Sequence, residues 1–299
     1  MTPFRVLPSC REKVWGATVL EPWFRNAAQP IGEVWFTYDN AMTEAGRTLS
    51  GLAAEHGPAL MGTAWKPPEF PILTKYIFTT ERLSIQVHPD DEYARLHHNS
   101  PGKTEMWYVL RAEPGAEIGI GFRNPLTRDE LRAAALSGEI ERLLDWWEVH
   151  AGDVIVAPAG SVHAIGAGLA VFEIQQQSDI TYRLYDYGRP RELHLDRAVE
   201  VAALAPHPGA VEPVPLGPGR TLLAKTPYFV TELRDVREAF EYAPDRRSMH
   251  ILAAVEGRGT LGGRPIASGE GWIVPADSEP FTIAPFGRLR LLDIYLPAV

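Results

Sequence analysis

"AGDVIVAPAGSVHAIG", residues 151–166, is the stretch on which the reading of the fold turns. It opens on a Gly152-Asp153 turn and runs through the apolar Val154-Ile155-Val156. It then breaks at Pro158 and Gly160 and restarts at His163. β-Branched residues between glycine and proline punctuation read as a strand, so the pattern is strand, turn, and a histidine launched from the next strand. A related stretch, "SGEGWIVPADSEPFTIA", occupies residues 268–284. Gly269, Glu270 and Pro275 keep step with Gly152, Asp153 and Pro158, and Pro280 stands where the first copy has His163. Two related β modules follow, with the ligand-type residue only in the first.

The rest of the chain agrees with a mainly β protein. "LSIQVH", "EMWYVL", "LAVFEIQQ", "YFVTEL", "MHILAAV" and "LRLLDIYL" are short apolar runs bounded by turn residues, the spacing of a β-sandwich or barrel. Three segments read as helical. "PDDEYARLHH" places Asp90, Asp91 and Glu92 at its start and Arg95, His97 and His98 near its end, which suits the helix dipole. Residues 124–147 carry a Thr127/Glu130 capping-box pattern and amphipathic spacing, and form a helical insertion. Residues 191–204 are the third. The stretch 205–219 holds five prolines and reads as an extended linker without regular structure. The expected organisation is a first module over 1–204, the linker over 205–219 and a second β module over 220–299.

Composition removes several function classes. The net charge of −9 disfavours a nucleic-acid binder. No apolar run approaches the ~18 residues of a membrane span. The N-terminal "MTPFRVLPSCREKVWG" carries charges and prolines where an export signal needs an apolar core, and Cys10 is the only cysteine. Both point to the reducing cytoplasm. An anionic protein can still take an anionic small molecule, provided that its cations gather in one pocket.

The chemistry starts at "LSIQVHPDDEYARLHHNSPGKTEMWYVL", residues 83–110. Strand residues two apart share a face, so Leu83, Ile85 and Val87 are expected on one side and Ser84, Gln86 and His88 on the other. A polar strand face must meet solvent or a lined cavity. His97 and His98 read as a solvated helix end, the tryptophans, Trp107 among them, as core, and His56, His150, His194, His207 and His250 receive no role.

The Gly-Asp-x4-Pro-x-Gly-x2-His run resembles the second motif of the cupin superfamily. Together with "LSIQVHPDDEYA", "GKTEMWYVL", "TYRLYDYGR", "KVWG" (13–16) and "IGEVWF" (31–36), it resembles the short bacterial kind of type I mannose-6-phosphate isomerase. The resemblance covers most of residues 10–200 in order, and the C-terminal segment more weakly. It implies two cupin-like jelly-roll sandwiches with one zinc ion per chain, another divalent metal being compatible. It places Gln86, His88, Glu105 and His163 as metal ligands. Lys75, Lys103, Glu173 and Arg183 fall at its other site positions: Arg183, Lys103 and Glu173 as catalytic, and Lys75, Lys103 and Arg183 as substrate-binding. The implied reaction interconverts mannose 6-phosphate and fructose 6-phosphate through an enediol. "WGATVL" departs from the family in having Ala17-Thr18 where a second glycine is usual.

The residue chemistry is consistent with that implication. Two imidazoles, a carboxylate and an amide oxygen make an N/O site suited to zinc or a neighbouring divalent ion. Nearby lysines and an arginine suit a sugar phosphate. The competing readings are a non-catalytic sugar-phosphate-binding module and an isomerase or iron dioxygenase acting on another substrate. A binder does not require the full ligand set with Arg183, and a dioxygenase leaves the cations without a purpose. Oligomeric state has no signature in this sequence.

Overall fold

The computed structural model describes residues 1–297. The first part of the chain contains β1 (Phe4–Val6), β2 (Ser9–Ala17), β3 (Ile31–Thr37), α1 (Leu49–His56), α2 (Pro58–Met61), β4 (Ile72–Phe78), β5 (Ile85–Val87), α3 (Asp91–His98), β6 (Glu105–Ala112) and β7 (Glu117–Phe122). It continues with α4 (Arg128–Ser137), α5 (Ile140–Leu143), β8 (Leu144–Glu148), β9 (Val154–Ala157), β10 (His163–Ile165), β11 (Leu169–Gln176), β12 (Tyr182–Tyr185) and α6 (Leu195–Val201). The remainder is all β: β13 (Val214–Gly217), β14 (Arg220–Lys225), β15 (Val230–Val236), β16 (Phe240–Tyr242), β17 (His250–Leu261), β18 (Arg264–Ala267), β19 (Gly271–Val274) and β20 (Phe281–Tyr295).

Three sheets stack in layers. A five-stranded sheet, β12-β5-β10-β7-β8, faces a six-stranded sheet, β2-β3-β4-β11-β6-β9, across a core of Trp15, Ile77, Trp107, Ile118, Ile120, Ile165 and Val171. Helices α4 and α6 cover the outer face of the five-stranded sheet through Leu131, Ala135, Ala198 and Val199. The outer face of the six-stranded sheet packs against a nine-stranded sheet, so Val34, Phe36, Tyr76 and Phe172 share one core with Leu233, Ile251, Val255 and Leu292. The nine-stranded sheet bends through bulges in β17 and β20 and encloses Leu252, Ala254, Trp272, Leu289 and Leu291. The mainly β, sandwich-based expectation is the observed architecture.

The repeat seen in the sequence is also a repeat of hydrogen bonds. Gly152 N–H donates to Val109 O while Val109 N–H donates to Asp153 O. In the second copy Gly269 N–H donates to Ala254 O and Ala254 N–H to Glu270 O. Both glycines sit at positive φ, 103° and 89°, which explains why the turn demands glycine.

Several local expectations are corrected. The helical segment 124–147 keeps its Thr127/Glu130 capping box, but it breaks at Gly138 (φ 81°) and is over by Leu143. Residues Leu144–Glu148, with both tryptophans, form β8, because aromatic side chains gain more from pairing with β7 than from another helical turn. The third helix is shorter than 191–204, covering Leu195–Val201. The 205–219 stretch is not devoid of structure: Val214–Gly217 pairs with β14 as an exposed edge strand, where proline is tolerated. The N-terminal strand Phe4–Val6 joins β19 in the nine-stranded sheet and so does not belong with the first two sheets. Leu83 turns into the core between the two facing sheets, away from Ile85 and Val87. Helices α1 and α2 had no counterpart in the sequence reading.

Candidate metal centre

Strand alternation delivers the site. In β4, Ile72, Tyr76 and Phe78 join the core shared with the nine-stranded sheet, so Lys75 and Ile77 face inward between the sandwich sheets. In β6, Met106 and Tyr108 face out and Glu105 and Trp107 in. In β11, Phe172 and Ile174 face out and Glu173 in. From the opposite sheet, Ile85 and Val87 pack under the helices and turn Gln86 and His88 inward. Gln86 pairs with His163 on one side and Arg183 on the other, which lines these three across the inner face of that sheet.

His88, Glu105 and His163 come together, each 1–2% exposed, with one potential ligand atom from each lying within 4.8 Å of the others. Glu105 Oε1 is 3.1 Å from His163 Nε2 and 3.5 Å from His88 Nε2. His88 Nδ1 lies 2.7 Å from Ile180 O and His163 Nδ1 3.0 Å from Ser161 O. A carbonyl only accepts, so both Nδ1 atoms carry the proton and both Nε2 lone pairs face Glu105. Burial, aided by the Lys103 ammonium, pushes the His88 pKa down to about 3, so the ring is a neutral donor at pH 7. Burial would raise the Glu105 pKa, but the Lys103 ammonium beside it outweighs that and keeps the group a carboxylate. Glu105 Oε2 pairs with the Lys103 ammonium at 3.0 Å, while Oε1 is buried between the two imidazoles without a hydrogen-bond partner, an orphaned state that a cation resolves. The donor set therefore fits a divalent metal. Gln86 sits beside it, its side-chain nitrogen 3.3 Å from His163 Nε2 and its oxygen accepting from Ser84 Oγ. An amide flip presents the oxygen to the centre instead, with Ser84 Oγ then accepting.

A tight return brings β6 to this point. Asp90 caps α3 by accepting from Tyr93 N–H, and Asn99 ends the helix in the left-handed conformation. The backbone of Gly102 packs so closely on Asp90 and Asp91 that a Cβ would lie 2.5 Å from Asp90 C. Lys103 N–H then bonds Pro89 O. This places Lys103 Nζ 3.0 Å from Glu105 Oε2 and 3.2 Å from His88 Nε2.

A cavity of about 210 Å³ opens from this cluster. That is below the ~300–1,000 Å³ of drug-sized pockets and suits a small polar molecule. Lys75, Lys103, Glu173 and Arg183 all line it, together with Gln86 and His163. Lys75 lies 3.0 Å from Glu173 Oε1 and 3.3 Å from Glu33 Oε1. Burial would lower its pKa, but the two carboxylates reverse that and keep it charged. Glu173 Oε2 accepts from the Trp107 indole N–H at 2.8 Å, so Trp107 is a wall of the site as well as core. Arg183 donates from Nη1 to Glu192 O, while its Nε is buried and unpartnered. Burial and the neighbouring Arg191 depress its pKa.

Lys13, Glu33, Ser84, Asp179, Thr181 and Arg191 also line the cavity and were not among the sequence candidates. Lys13 and Glu33 lay inside the "KVWG" and "IGEVWF" stretches, so their signal was present. Arg191 had none; it is aimed by Asp186, which takes its guanidinium at 2.6 and 2.7 Å. His98 is exposed at the end of α3, as expected of a solvated helix end, and also contacts the Tyr182 hydroxyl at 2.5 Å, tying the helix to the strand of Arg183.

Comparison with known proteins agrees with this arrangement. Residues 4–106 match the family model of the type I phosphomannose isomerase catalytic domain. The mannose-6-phosphate isomerase ManA of Bacillus subtilis (strain 168) is 41% identical over 216 residues, 67% of each chain. The crystal structure of the mannose 6-phosphate isomerase from Bacillus subtilis superposes with a TM-score of 0.90 at 31% identity, covering 99% of this chain and 100% of that one. The chain belongs to the type I phosphomannose isomerase family. A zinc-bound mannose 6-phosphate isomerase shares the fold with a TM-score of 0.80 at 17% identity, covering the whole of both chains. In this phosphomannose isomerase family member, the six-stranded sheet supplies Glu33, Lys75, Glu105 and Glu173 and the five-stranded sheet supplies Gln86, His163 and Arg183.

Proposed function

We propose that the chain is a metal-dependent aldose–ketose isomerase that interconverts mannose 6-phosphate and fructose 6-phosphate. The observation that carries this reading is the convergence of two oriented imidazoles on a buried carboxylate whose Oε1 has no hydrogen-bond partner, at the end of a cation-rich cavity. His88, Glu105 and His163, with Gln86 through its oxygen, would hold one zinc ion per chain. Bound there, the metal supplies Lewis acidity toward a sugar hydroxyl or carbonyl oxygen.

The protein's own groups do the rest. Lys75, Lys103 and Arg183 supply the positive field that draws in an anionic sugar and orients it, so that phosphate binding energy positions the reacting carbons. Arg183, with its unpartnered Nε, stabilises the negative charge that develops on the enediolate. Glu173 takes the proton from one carbon and returns it to the next, being a cavity carboxylate committed neither to the metal nor to the rim. Trp107, Ile77 and Ile165 give the cavity its apolar walls.

The lone cysteine, the net charge of −9 and the lack of a helix long and apolar enough to cross a membrane among the described residues support a cytoplasmic enzyme of a small metabolite. Residues 9–204 would carry the catalytic unit and 220–299 the degenerate second one. A coupled assay on purified protein tests the proposal. Turnover of mannose 6-phosphate is expected, lost with chelator and restored by zinc. Isomerisation indifferent to chelation, or none with a full metal complement, removes it.

A further inference from the structure

One wall of the cavity is a file of alternating charges that the reaction above leaves partly unused. From the rim inward it runs Lys13, Glu33, Lys75, Glu173, Lys103, Glu105. Lys13 Nζ lies 3.2 Å from Glu33 Oε2, and Lys75 Nζ lies 3.3 Å from Glu33 Oε1. One carboxylate thus takes two ammonium groups, one on each oxygen. The Lys13 side chain is 37% exposed and that of Lys75 5%, so the pair spans rim to interior. Trp35 donates its indole N–H to Glu33 Oε2 at 3.1 Å, and its ring lies 5.4 Å from Lys75 Nζ. Without Glu33, two like charges would face each other in a low-dielectric wall and move apart.

The C-terminal sheet supplies an internal comparison. Glu105 pairs with Ala157, the residue before Pro158, and His250 pairs with Val274, the residue before Pro275. Following the ladders from these anchors, Glu173 and Lys75 correspond to Asp293 and Glu232. Glu33, opposite Ile77, corresponds to Arg220, opposite Arg234. The copy is again a buried ion cluster, but its central residue has the opposite sign. Glu232 is held by Arg220 at 2.9 Å and Arg234 at 3.6 Å, and Asp293 by Arg234 at 2.6 Å and His250 at 2.7 Å. Bracing these strands therefore needs a paired cluster of either polarity. Only where the cluster lines the cavity is the centre a cation with a carboxylate holding a second cation beside it.

We propose that Glu33 is a positioning residue that clamps Lys13 and Lys75 side by side as a two-ammonium seat for the substrate phosphate, and that Lys13 is itself a substrate-binding residue. Two ammonium charges match a phosphate dianion. The inference rests on the isomerase reading, and kinetics and direct binding separate the two.

For Glu33→Gln, the expected result is a KM for mannose 6-phosphate raised on the order of tenfold, with kcat within about threefold and bound zinc unchanged. Glu33→Asp, which keeps the charge, recovers part of the loss. Lys13→Met, a rim substitution that leaves the core intact, raises KM severalfold at an unchanged melting temperature. Tryptophan fluorescence titrated with mannose 6-phosphate gives Kd values that follow the same order. A wild-type protein that binds without turnover refutes the isomerase reading, and the Kd series then decides the clamp. Unchanged KM and Kd in Lys13→Met, or a Glu33→Gln loss confined to kcat or to metal content, overturns the clamp and leaves the isomerase reading standing.

Discussion

At the residue scale, the site contrasts carboxylates with different tasks. Glu105 turns Oε1 to two imidazoles and Oε2 to Lys103, whereas Glu173 is braced by Trp107 and Lys75. Glu173→Gln keeps the shape and removes the base. We expect kcat to fall by roughly 10²–10⁴ with zinc content unchanged, measured by the coupled assay and metal analysis on the same sample. Asp293, in the C-terminal sheet, shows what a fully paired buried carboxylate does instead. Burial alone would raise its pKa, but His250 and Arg234 outweigh that and hold it far below the usual value. A carboxyl depressed on folding adds stability that is complete above its unfolded pKa of about 4 and is lost as pH falls through the folded one. Wild-type melting temperature should therefore decline below about pH 4. Asp293→Asn should cost on the order of 3–5 kcal/mol at pH 7 by leaving Arg234 and His250 unpaired, and should flatten the acid limb. Parallel melting-temperature profiles for the two proteins would rule this out.

At the scale of elements, the return from His88 to Glu105 is the joint that makes two sheets into one centre. Helix α3 fills it, capped by Asp90 and stopped by Asn99. Asp91 locks it by accepting from Gly102 N–H at 2.9 Å and from Gln176 Nε2 at 2.8 Å. Gly102→Ala drives a methyl into the Asp90–Asp91 backbone, so residues 102–105 must shift. The expected outcome is weaker zinc binding in a chelator competition, with far-UV circular dichroism unchanged. Wild-type zinc affinity in that variant would mean that the joint is more compliant than its packing indicates.

For the whole molecule, the six-stranded sheet is buried on both faces, by the five-stranded sheet on one side and the nine-stranded sheet on the other. Trp23 donates to Val255 O at 2.8 Å, Tyr76 to Ala254 O at 3.1 Å, and β1 is itself a strand of the distant sheet. The chain should therefore unfold as one cooperative unit. A fragment ending at residue 204 would expose Val34, Phe36, Tyr76 and Phe172 and leave β1 without a partner. We expect it to bind a hydrophobic dye and lose its sharp calorimetric transition. A soluble, cooperatively melting fragment would show that the second sheet is dispensable for folding.

What the amino-acid sequence determined by itself was local. The two-residue period of a strand decides which side chains share a face, so Gln86 with His88 could be read without coordinates, while Lys75 and Glu173 came from the family resemblance. The Thr127 capping box and the two positive-φ glycines of the repeat were legible for the same reason: each depends on a few neighbouring residues. Tertiary structure alone decided what meets across the sandwich. It brought Glu105 to 3.1 Å from His163, Lys13 and Lys75 to one carboxylate, Arg191 to the cavity and β1 to the far sheet. It also decided that Leu144–Glu148 is a strand, since only the presence of β7 makes pairing better than helix. The physical reason is that backbone geometry acts within a few residues, whereas these contacts join strands tens of residues apart in sequence, whose pairing is chosen by the burial of a whole sheet face.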